Sequence, residues 1–159
     1  MIDFSGIDAA LNHYLNKGAL VTAGSLPNVM TASWGFVGVM WGKKVVILPV
    51  RNTRYTKKFI DEKGEFALSV PFGNMQKELA YCGTRSGRDT DKIKDLNLKT
   101  VRAKTIDTEV IEGCGAYFEC KTVMCIPLDD DNCPKELKDK FYSDGNYHNL
   151  YIAEVLAEY

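Results

Sequence analysis

The run Val45-Val46-Ile47-Leu48-Pro49-Val50 is followed directly by Arg51-Asn52-Thr53-Arg54-Tyr55-Thr56, and this junction is the most informative stretch in the chain of 159 residues. The first six residues are apolar, as in a buried strand. The second six open a segment in which Tyr55, Phe59 and Ile60 share one helical face. Backbone N–H groups and the helix dipole favour an anion at a helix N-terminus, and arginine and threonine add donors suited to phosphate. The junction therefore predicts a phosphate-binding cradle.

Short extended segments lie on both sides of this junction. Short extended patterns, separated by Gly, Pro and Asn, predict strands at 19–24, 29–36, 37–41, 45–48, 65–70 and 148–155, with more extended structure between 98 and 127. Helical spacing predicts an N-terminal helix over residues 3–16 and several shorter helices later. The chain is therefore expected to be one domain over residues 1–159, mainly β with peripheral helices (α+β) and with a barrel or sandwich core.

The helix that follows the junction has predictable ends. Asn52 or Thr53 can cap its first turn, and Gly64 suits the left-handed residue after its last turn. Asn74 is the candidate cap of a second short helix, and Asp89 is the candidate cap of a third.

Charge and hydropathy exclude two classes of partner. The formal net charge is −1, whereas electrostatic nucleic-acid binders normally carry a basic excess. No apolar run approaches the roughly 20 residues that a membrane helix needs. The start Met1-Ile2-Asp3-Phe4 carries an acid, and no apolar signal region follows it. We therefore expect a cytoplasmic protein with neither a nucleic acid nor a membrane as partner.

The cysteines favour packing over metal binding. The chain contains five, at irregular positions: Cys82, Cys114, Cys120, Cys125 and Cys133. None forms a C-x-x-C pair, and only His13 and His148 are available as histidine ligands, so a zinc site has little support. The thiols are expected to be reduced and to pack as small hydrophobes. Cys82 falls near the predicted cradle, but a redox role requires exposure and a lowered pKa.

Several segments, taken in order, resemble the flavin reductase-like family, and within it the flavoredoxin type. They are 28–35, 51–56, 65–71, 86–92 and 147–155. The loop Ser86-Gly87-Arg88-Asp89-Thr90-Asp91-Lys92 is similar to the family's Ser-Gly-x-Asp-x-Asp-Lys loop. The match covers roughly residues 18–157. Its ordered set of motifs is specific to the family but not to one reaction within it.

The resemblance implies an FMN-binding split β-barrel, usually a homodimer with FMN near the subunit interface. The expected function is that of an NAD(P)H:flavin oxidoreductase, which transfers a hydride from NADH or NADPH to FMN and on to a flavin, metal or protein acceptor. The alternative is a flavoredoxin-like FMN electron carrier that a partner protein reduces. A third hypothesis is a split-barrel relative adapted to haem or pyridoxal phosphate. No catalytic side chain is expected, because the flavin itself carries the redox chemistry.

The resemblance also assigns residues to the flavin ring. The ring-facing strand comprises Met30, Thr31, Ala32, Ser33 and Trp34. Its backbone edge would meet the ring, and the hydroxyls of Thr31 and Ser33 would add polar contacts. Alternating Thr and Ser are also ordinary in a strand with one polar face, so this alternative stays open. His148 is expected near the flavin or the dimer contact, although a single histidine is more often structural.

The phosphate end is assigned in the same way. The residues that the resemblance places there are Arg51, Asn52, Thr53 and Thr56 of the junction, with Ser86, Gly87 and Lys92 of the loop. Gly87 would let the backbone approach closely. Arg54 is left out, because a residue at the first helical position can face away from the ligand. The alternatives are a solvated helix start for the junction and a plain helix entry for the loop.

Overall fold

The computed structural model describes residues 7–159. Its helices are α1 (Ile7–Lys17), α2 (Tyr55–Lys63), α3 (Gln76–Thr84), α4 (Lys92–Asp95) and α5 (Lys135–Phe141). Its strands are β1 (Ala19–Ala23), β2 (Asn28–Ala32), β3 (Phe36–Met40), β4 (Lys43–Arg51), β5 (Glu65–Val70), β6 (Thr100–Arg102), β7 (Glu109–Ile111), β8 (Ala116–Pro127) and β9 (His148–Glu158). Residues 3–6 of the predicted N-terminal helix lie outside the described residues.

Seven strands form one antiparallel sheet in the order β2-β1-β5-β8-β9-β4-β3, and β6 pairs with β7 separately. In the register of β4 with β9, Arg51 lies opposite His148. Within residues 7–159, β2 and β3 are the two edges of the sheet and are not paired with each other, so the sheet is open rather than a closed barrel. The predicted fold class, mainly β with peripheral helices, is confirmed.

The sheet curls around one apolar core. Met30 of β2 and Val50 of β4 belong to the same buried cluster, although four strands separate β2 from β4 in the sheet. Phe66 of β5, Tyr14 of α1 and Ile60 of α2 complete this cluster from the other elements. The curl therefore brings β2 close to the β4–α2 junction, and the site forms there.

The outer face of the sheet carries a second apolar layer. Leu20 of β1 and Val29 of β2 pack there against Leu79 and Cys82 of α3. All five residues of β1 are buried, because both faces of the strand are covered. This packing holds the C-terminal end of α3 beside the end of β2, where it becomes a wall of the site.

The strand predicted over residues 29–36 is interrupted, so this prediction was wrong. β2 ends at Ala32 and β3 begins at Phe36. The Tyr14 hydroxyl donates to the Trp34 carbonyl oxygen over 2.6 Å, and a Cβ on Gly35 would lie 2.3 Å from that hydroxyl. The bend between the strands is therefore fixed by a contact with α1. Because this contact joins residues that are far apart in the chain, no local sequence pattern predicts it.

The predicted cap of α2 was also wrong. Its N-cap residue is Arg54, and no side chain accepts a bond from the first turn. The side chains of Asn52 and Thr53 bind Asn149 and Asn146 instead. The first-turn N–H groups are thus left without a side-chain partner. At the other end Gly64 has φ 68°, and its N–H donates to the Ile60 carbonyl, as predicted.

The caps predicted for the two following helices differ as well. The N-cap residue of α3 is Met75 rather than Asn74, and its side chain makes no capping hydrogen bond. Asp91 rather than Asp89 caps α4, where its carboxylate accepts from the Lys94 N–H over 3.1 Å. Both errors are shifts of one or two residues in the position of a helix start.

Candidate functional site

The β4–α2 junction forms one wall of an open cavity of about 420 Å³, which we call the cradle. β2 and the segment that follows α3 form the facing wall, and the loop before β9 closes one end. The predicted site residues that line it are Met30, Arg51, Thr53, Thr56, Ser86, Gly87 and Lys92. The fold thus brings four separate segments of the sequence together around the cradle.

The cradle carries a surplus of positive charge. Its charged lining residues are Arg51, Arg54, Arg85, Lys92 and Asp144. Asp144 is the one acid among the described residues of this lining, and its exposed carboxylate lies 3.8 Å from Arg51 Nη1. An exposed pair of this kind contributes little, so most of the positive charge is uncompensated. The cradle therefore favours an anion with more than one negative charge.

Three hydroxyl groups in the cradle are oriented by hydrogen bonds that they accept. The donors are Asn28 Nδ2 to Thr56 Oγ1 at 2.7 Å, Asn146 Nδ2 to Thr53 Oγ1 at 2.8 Å, and the Arg88 N–H to Ser86 Oγ at 3.2 Å. Within the described part of the chain, none of these hydroxyls has an acceptor for its own proton. Each can therefore donate to a ligand, and hydroxyl donors beside cations suit a phosphate group.

Gly87 holds the loop after α3 against β2. A Cβ at this position would lie 1.9 Å from Asn28 Oδ1 and 2.9 Å from Tyr55 Cδ1. The need for glycine therefore comes from close packing. Because the Asn28 amide also orients the Thr56 hydroxyl, the position of Gly87 affects the cradle through one shared side chain.

Lys92 and Arg54 are anchored at the C-terminal end of α3. Lys92 is only 4% exposed, and its Nζ donates to the carbonyls of Cys82 and Arg85, each at 3.2 Å. Arg54 Nη1 donates to the Gly83 carbonyl at 2.7 Å. Burial lowers the pKa of both side chains. The charge of Arg51 lowers the pKa of Arg54 further, whereas for Lys92 the opposing effect of Cys82 exceeds the lowering by Arg54. A bound anion would offset the unfavourable burial of these two cations.

A smaller cavity of about 130 Å³ continues from the cradle along the end of β2, and we call it the ring cavity. Its predicted lining residues are Met30, Thr31, Ala32, Ser33, Trp34, Arg51 and His148. Met30, Arg51 and Arg54 line both cavities. In the described residues β2 is a sheet edge, so backbone polar groups on its free side can face a planar ligand.

The two predicted hydroxyls of the ring cavity differ. The Thr31 hydroxyl donates to the Leu79 carbonyl over 2.6 Å, so its proton is already used to hold α3. The Ser33 side chain is exposed and makes no hydrogen bond to the described residues. Ser33 is therefore the hydroxyl of this pair that is free to donate to a ligand.

His148 is buried beside the two arginines. Its ring centroid lies 5.2 Å from that of Trp34, and its Nδ1 is 2.9 Å from the Tyr142 hydroxyl. Burial, followed by the charges of Arg51 and Arg54, lowers its pKa to about 4. The imidazole is therefore neutral at physiological pH. It can contact a ligand without adding another positive charge.

Asn52 is the predicted site residue that lines neither cavity. Its N–H donates to the Tyr147 carbonyl at 3.1 Å, and its Oδ1 accepts from Asn149 Nδ2 at 2.7 Å. The side chain thus joins β4 to β9, and its geometry is that of a positioning residue.

Arg51 combines a place in both cavities with a structural role. Its Nη1 donates to the Asn146 carbonyl at 2.9 Å, and its Nη2 donates to the Phe141 carbonyl at 3.0 Å. These bonds hold the segment between α5 and β9 against the junction.

Several lining residues of the cradle were not predicted from the sequence. They are Asn28, Arg54, Tyr55, Thr84, Arg85, Asp144 and Asn146. Asn28 lies in a segment that carries the family resemblance, so a signal for it was present. Asn146 has no such signal, because its role depends on a contact with Thr53, 93 residues away.

Cys82 lacks the features of a redox thiol. It is fully buried, and burial raises its pKa to about 11 although the nearby Lys92 acts in the opposite direction. All five cysteines, which lie within the described residues, are free thiols. The expectation of reduced cysteines agrees with this geometry, although Cys125 is exposed rather than packed.

Residues 11–158 match the model of the flavin reductase like domain, and the chain belongs to that family. An uncharacterized protein of Archaeoglobus fulgidus is 29% identical over 137 residues, which are 86% of this chain and 67% of that protein. The chain thus spans about two thirds of the length of this relative.

Solved structures share the fold. Flavoredoxin of Desulfovibrio vulgaris (Miyazaki F) superposes with a TM-score of 0.71 at 23% identity, over 89% of this chain and 68% of that one. The NADH:FAD oxidoreductase SgcE6 of Streptomyces globisporus gives 0.69 at 17% identity, over 100% of this chain and 86% of that one. At these identities the likeness shows the fold alone. Within residues 7–159, no helix combines the length and the apolar character that crossing a bilayer requires.

Proposed function

We propose that this protein is an FMN-binding oxidoreductase, which uses NADH or NADPH as electron donor and a flavin, metal or protein as acceptor. The cradle carries this proposal, because it combines oriented hydroxyl donors with uncompensated cations. FMN ends in a phosphate of two negative charges, which matches both features. Bound FMN would supply the redox chemistry itself.

The cradle would hold the phosphate of FMN, and the ring cavity would hold part of its isoalloxazine ring. Thr53, Thr56 and Ser86 would donate to the phosphate, while Arg54 and Lys92 balance its charge. The isoalloxazine ring would lie along residues 30–34, where the ring cavity continues from the cradle. The ring cavity is small, at about 130 Å³, so it leaves much of a tricyclic ring uncovered. An uncovered ring face is what a nicotinamide donor or another acceptor needs.

We also propose that the protein forms a homodimer and works in the cytoplasm. β8 pairs with β5 only as far as Lys121 in the described residues, and the apolar side chains of Val123, Met124 and Ile126 beyond it are exposed. We call residues 122–127 the arm of β8. The arm ends at Pro127, which pairs with Asn149, the residue that follows His148 in β9. A second copy on the arm would thus cover apolar surface beside the ring cavity. Free cysteines suit the reducing cytoplasm.

The proposal is tested by flavin binding and reduction. The protein is titrated with FMN and with riboflavin, and we expect FMN to bind at least tenfold more tightly because riboflavin lacks the phosphate. The FMN-loaded protein is then mixed anaerobically with NADH or NADPH. Rapid bleaching of the flavin absorption bands would support the oxidoreductase. Equal affinity for FMN and riboflavin would contradict the phosphate assignment.

A flavoredoxin-like electron carrier is the second candidate. Trp34 and Phe36 are both exposed beside the ring cavity, with Phe36 at 67%, and exposed aromatic side chains suit the docking of a protein donor. In that case the flavin bands would persist with both nicotinamide nucleotides but bleach with dithionite. The same anaerobic experiment therefore separates the two functions.

A further inference from the structure

Only one of the two nitrogens of the His148 imidazole has a hydrogen-bond partner within residues 7–159. Nδ1 lies 2.9 Å from the Tyr142 hydroxyl, whereas Nε2 has no partner. Among the described residues, the Thr122 hydroxyl is the one buried side-chain polar atom that lacks a partner. Nε2 is therefore not enclosed by protein, and the open space that His148 lines is the ring cavity.

The hydrogen bond between Tyr142 and His148 has a defined direction. In the described part of the chain, the Tyr142 hydroxyl has no acceptor other than Nδ1. If Nδ1 carried the imidazole proton, the buried hydroxyl would have nowhere to donate, which is unfavourable. The phenol O–H therefore donates to Nδ1, and the proton of the neutral imidazole lies on Nε2.

The surroundings keep both partners in the protonation states that this direction requires. Burial, followed by Cys133, raises the pKa of Tyr142, although the charge of Arg51 acts in the opposite direction. The phenol thus keeps its proton at neutral pH. The lowered pKa of His148 keeps the imidazole neutral in the same range.

Tyr142 is held in place by contacts that do not involve the histidine. Its ring stacks on that of Tyr147, with centroids 4.9 Å apart and an angle of 30°. The Tyr147 hydroxyl donates to Asp130 Oδ1 over 2.6 Å. Arg51 Nη2 donates to the carbonyl of Phe141, the residue that precedes Tyr142. These contacts fix the position of the phenol before any ligand binds.

The imidazole itself lies between two aromatic rings. Its centroid is 5.2 Å from that of Trp34 on one side and 5.6 Å from that of Tyr142 on the other. Both residues flanking the imidazole limit its rotation, so the direction of Nε2 is set as well. A neutral N–H in a fixed direction suits an acceptor atom of a planar ligand, and the flavin ring carries two carbonyl oxygens and unprotonated ring nitrogens.

We propose that Tyr142 is a positioning residue, which keeps the proton of His148 on Nε2 so that this N–H donates to an acceptor atom of the flavin ring. Tyr142 acts through the imidazole, because it lines neither the cradle nor the ring cavity. This inference rests on the proposed flavin function.

The first experiment locates the imidazole proton in the flavin-free protein. The chain has two histidines, His13 and His148, so nitrogen NMR of a sample with ¹⁵N-labelled histidine at neutral pH is assigned with His148→Gln. We expect the His148 proton on Nε2 in the wild type, and a measurable fraction on Nδ1 in Tyr142→Phe. Tyr147→Phe is the matched control, because it removes the neighbouring hydroxyl, which binds Asp130, and should leave the proton on Nε2.

A wild-type proton on Nδ1, or the same proton position in the wild type and in Tyr142→Phe, would overturn the inference. Addition of FMN supplies a further test on the same sample. We expect the exchange of the His148 Nε2 proton with water to slow by about tenfold, since the flavin ring covers it and accepts from it. An exchange rate that FMN leaves unchanged would show that Nε2 does not meet the flavin.

The second experiment asks whether Tyr142 acts through the histidine. Titrations of Tyr142→Phe should show about threefold weaker binding of both FMN and riboflavin, because one hydrogen bond to the ring is weakened and both ligands have that ring. In His148→Phe, which keeps an aromatic ring but has no nitrogen, the additional change Tyr142→Phe should have no further effect. An equal loss in that background would show that Tyr142 has only a structural role, and the inference would be wrong.

Failure of this inference can be distinguished from failure of the proposed function. If the proton lies on Nδ1 while FMN still binds more tightly than riboflavin, the proposed function stands and only the role of Tyr142 is wrong. If neither flavin binds, the proposed function is contradicted, and the contact between His148 and a flavin is contradicted with it.

Discussion

The Asn28 side-chain amide donates to the Thr56 hydroxyl over 2.7 Å, and this bond ties β2 to the first turn of α2. Thr56 is fully buried, and its hydroxyl has no acceptor within the described residues. Asn28 therefore fixes the hydroxyl oxygen while it leaves the proton free. The pair shows how the fold prepares a donor for an anion in the cradle.

Thr56→Val should weaken the binding of FMN far more than that of riboflavin. The substitution removes a donor to a charged group, a contact worth about 1.5–3 kcal/mol, while it keeps the shape of the side chain. Titration with both ligands measures the effect, and Thr56→Ser should restore most of the FMN affinity. Equal weakening of both ligands would show that the hydroxyl does not face the phosphate. Valine also leaves the Asn28 amide unpaired, so the titrations are run well below the unfolding temperature.

Gly87→Ala should destabilise the protein and weaken FMN binding together. Its Cβ would overlap Asn28 Oδ1, so the loop or the asparagine must move, at a cost of about 1–3 kcal/mol. Gly38→Ala is the matched control, because nothing lies within 4 Å of a Cβ there. Urea unfolding and FMN titration check both variants. If alanine is tolerated at 87 as well as at 38, the close packing of Gly87 does not hold in solution.

Arg51→Ala should weaken both FMN and riboflavin, with the larger loss for FMN. The loss common to both ligands comes from the segment between α5 and β9, which the guanidinium holds through the carbonyls of Phe141 and Asn146. The additional loss for FMN is that of a charged contact, about 1.5–3 kcal/mol. Arg51→Lys keeps the charge but not the paired donors, so it should recover part of the FMN-specific loss only. A riboflavin affinity that is unchanged in Arg51→Ala would contradict the structural role.

Local sequence predicted the elements of the site better than its contacts. The strand-to-helix junction at 45–56 was evident, because hydrophobic spacing and helix signals act over a few residues. The inward position of Arg54 was not evident, since it depends on where α2 begins. The structure makes Arg54 the N-cap residue and directs its guanidinium to Gly83.

Individual side-chain contacts between distant segments could not be predicted from the sequence. Asn146 orients Thr53 across 93 residues, and Tyr14 fixes the bend at Trp34 from another element. The ordered motifs of the family resemblance supplied the fold because they extend over roughly residues 18–157. They could not show that the Thr31 proton is used by Leu79, since that bond depends on the packing of α3.

Ile126→Asp should convert the proposed dimer into a monomer and weaken FMN binding. A carboxylate on the exposed arm of β8 would be buried without a partner in an interface between two copies. Light scattering gives the mass, and an FMN titration gives the affinity. Leu15→Asp is the control, because Leu15 is also exposed but lies on α1. A wild-type protein that is monomeric with full FMN occupancy would contradict the interface-sited flavin.

His148 should make the protein less stable as the pH falls from about 6.5 towards 4. Burial and the charges of Arg51 and Arg54 lower its pKa to about 4 from the ordinary 6.5, so in this window the unfolded chain binds a proton that the native state does not. Stability therefore rises with pH here, with a slope of at most about 1.4 kcal/mol per pH unit for one proton. The full contribution is present above pH 6.5 and is lost progressively below it.

Urea unfolding of the wild type and of His148→Gln between pH 7 and 5 measures this contribution. Glutamine cannot titrate, so the slope in the variant should be smaller. Burial raises the pKa of Glu119, but its hydrogen bonds from Thr105, Lys104 and Tyr159 lower it overall, so this carboxylate loses its contribution only below its ordinary value of 4.5. Above pH 5, therefore, Glu119 does not contribute to the change of stability with pH, and the difference between the two slopes reports on His148. Equal slopes in the two proteins would show that folding does not lower the pKa of His148, and its burial beside the two arginines would then be wrong.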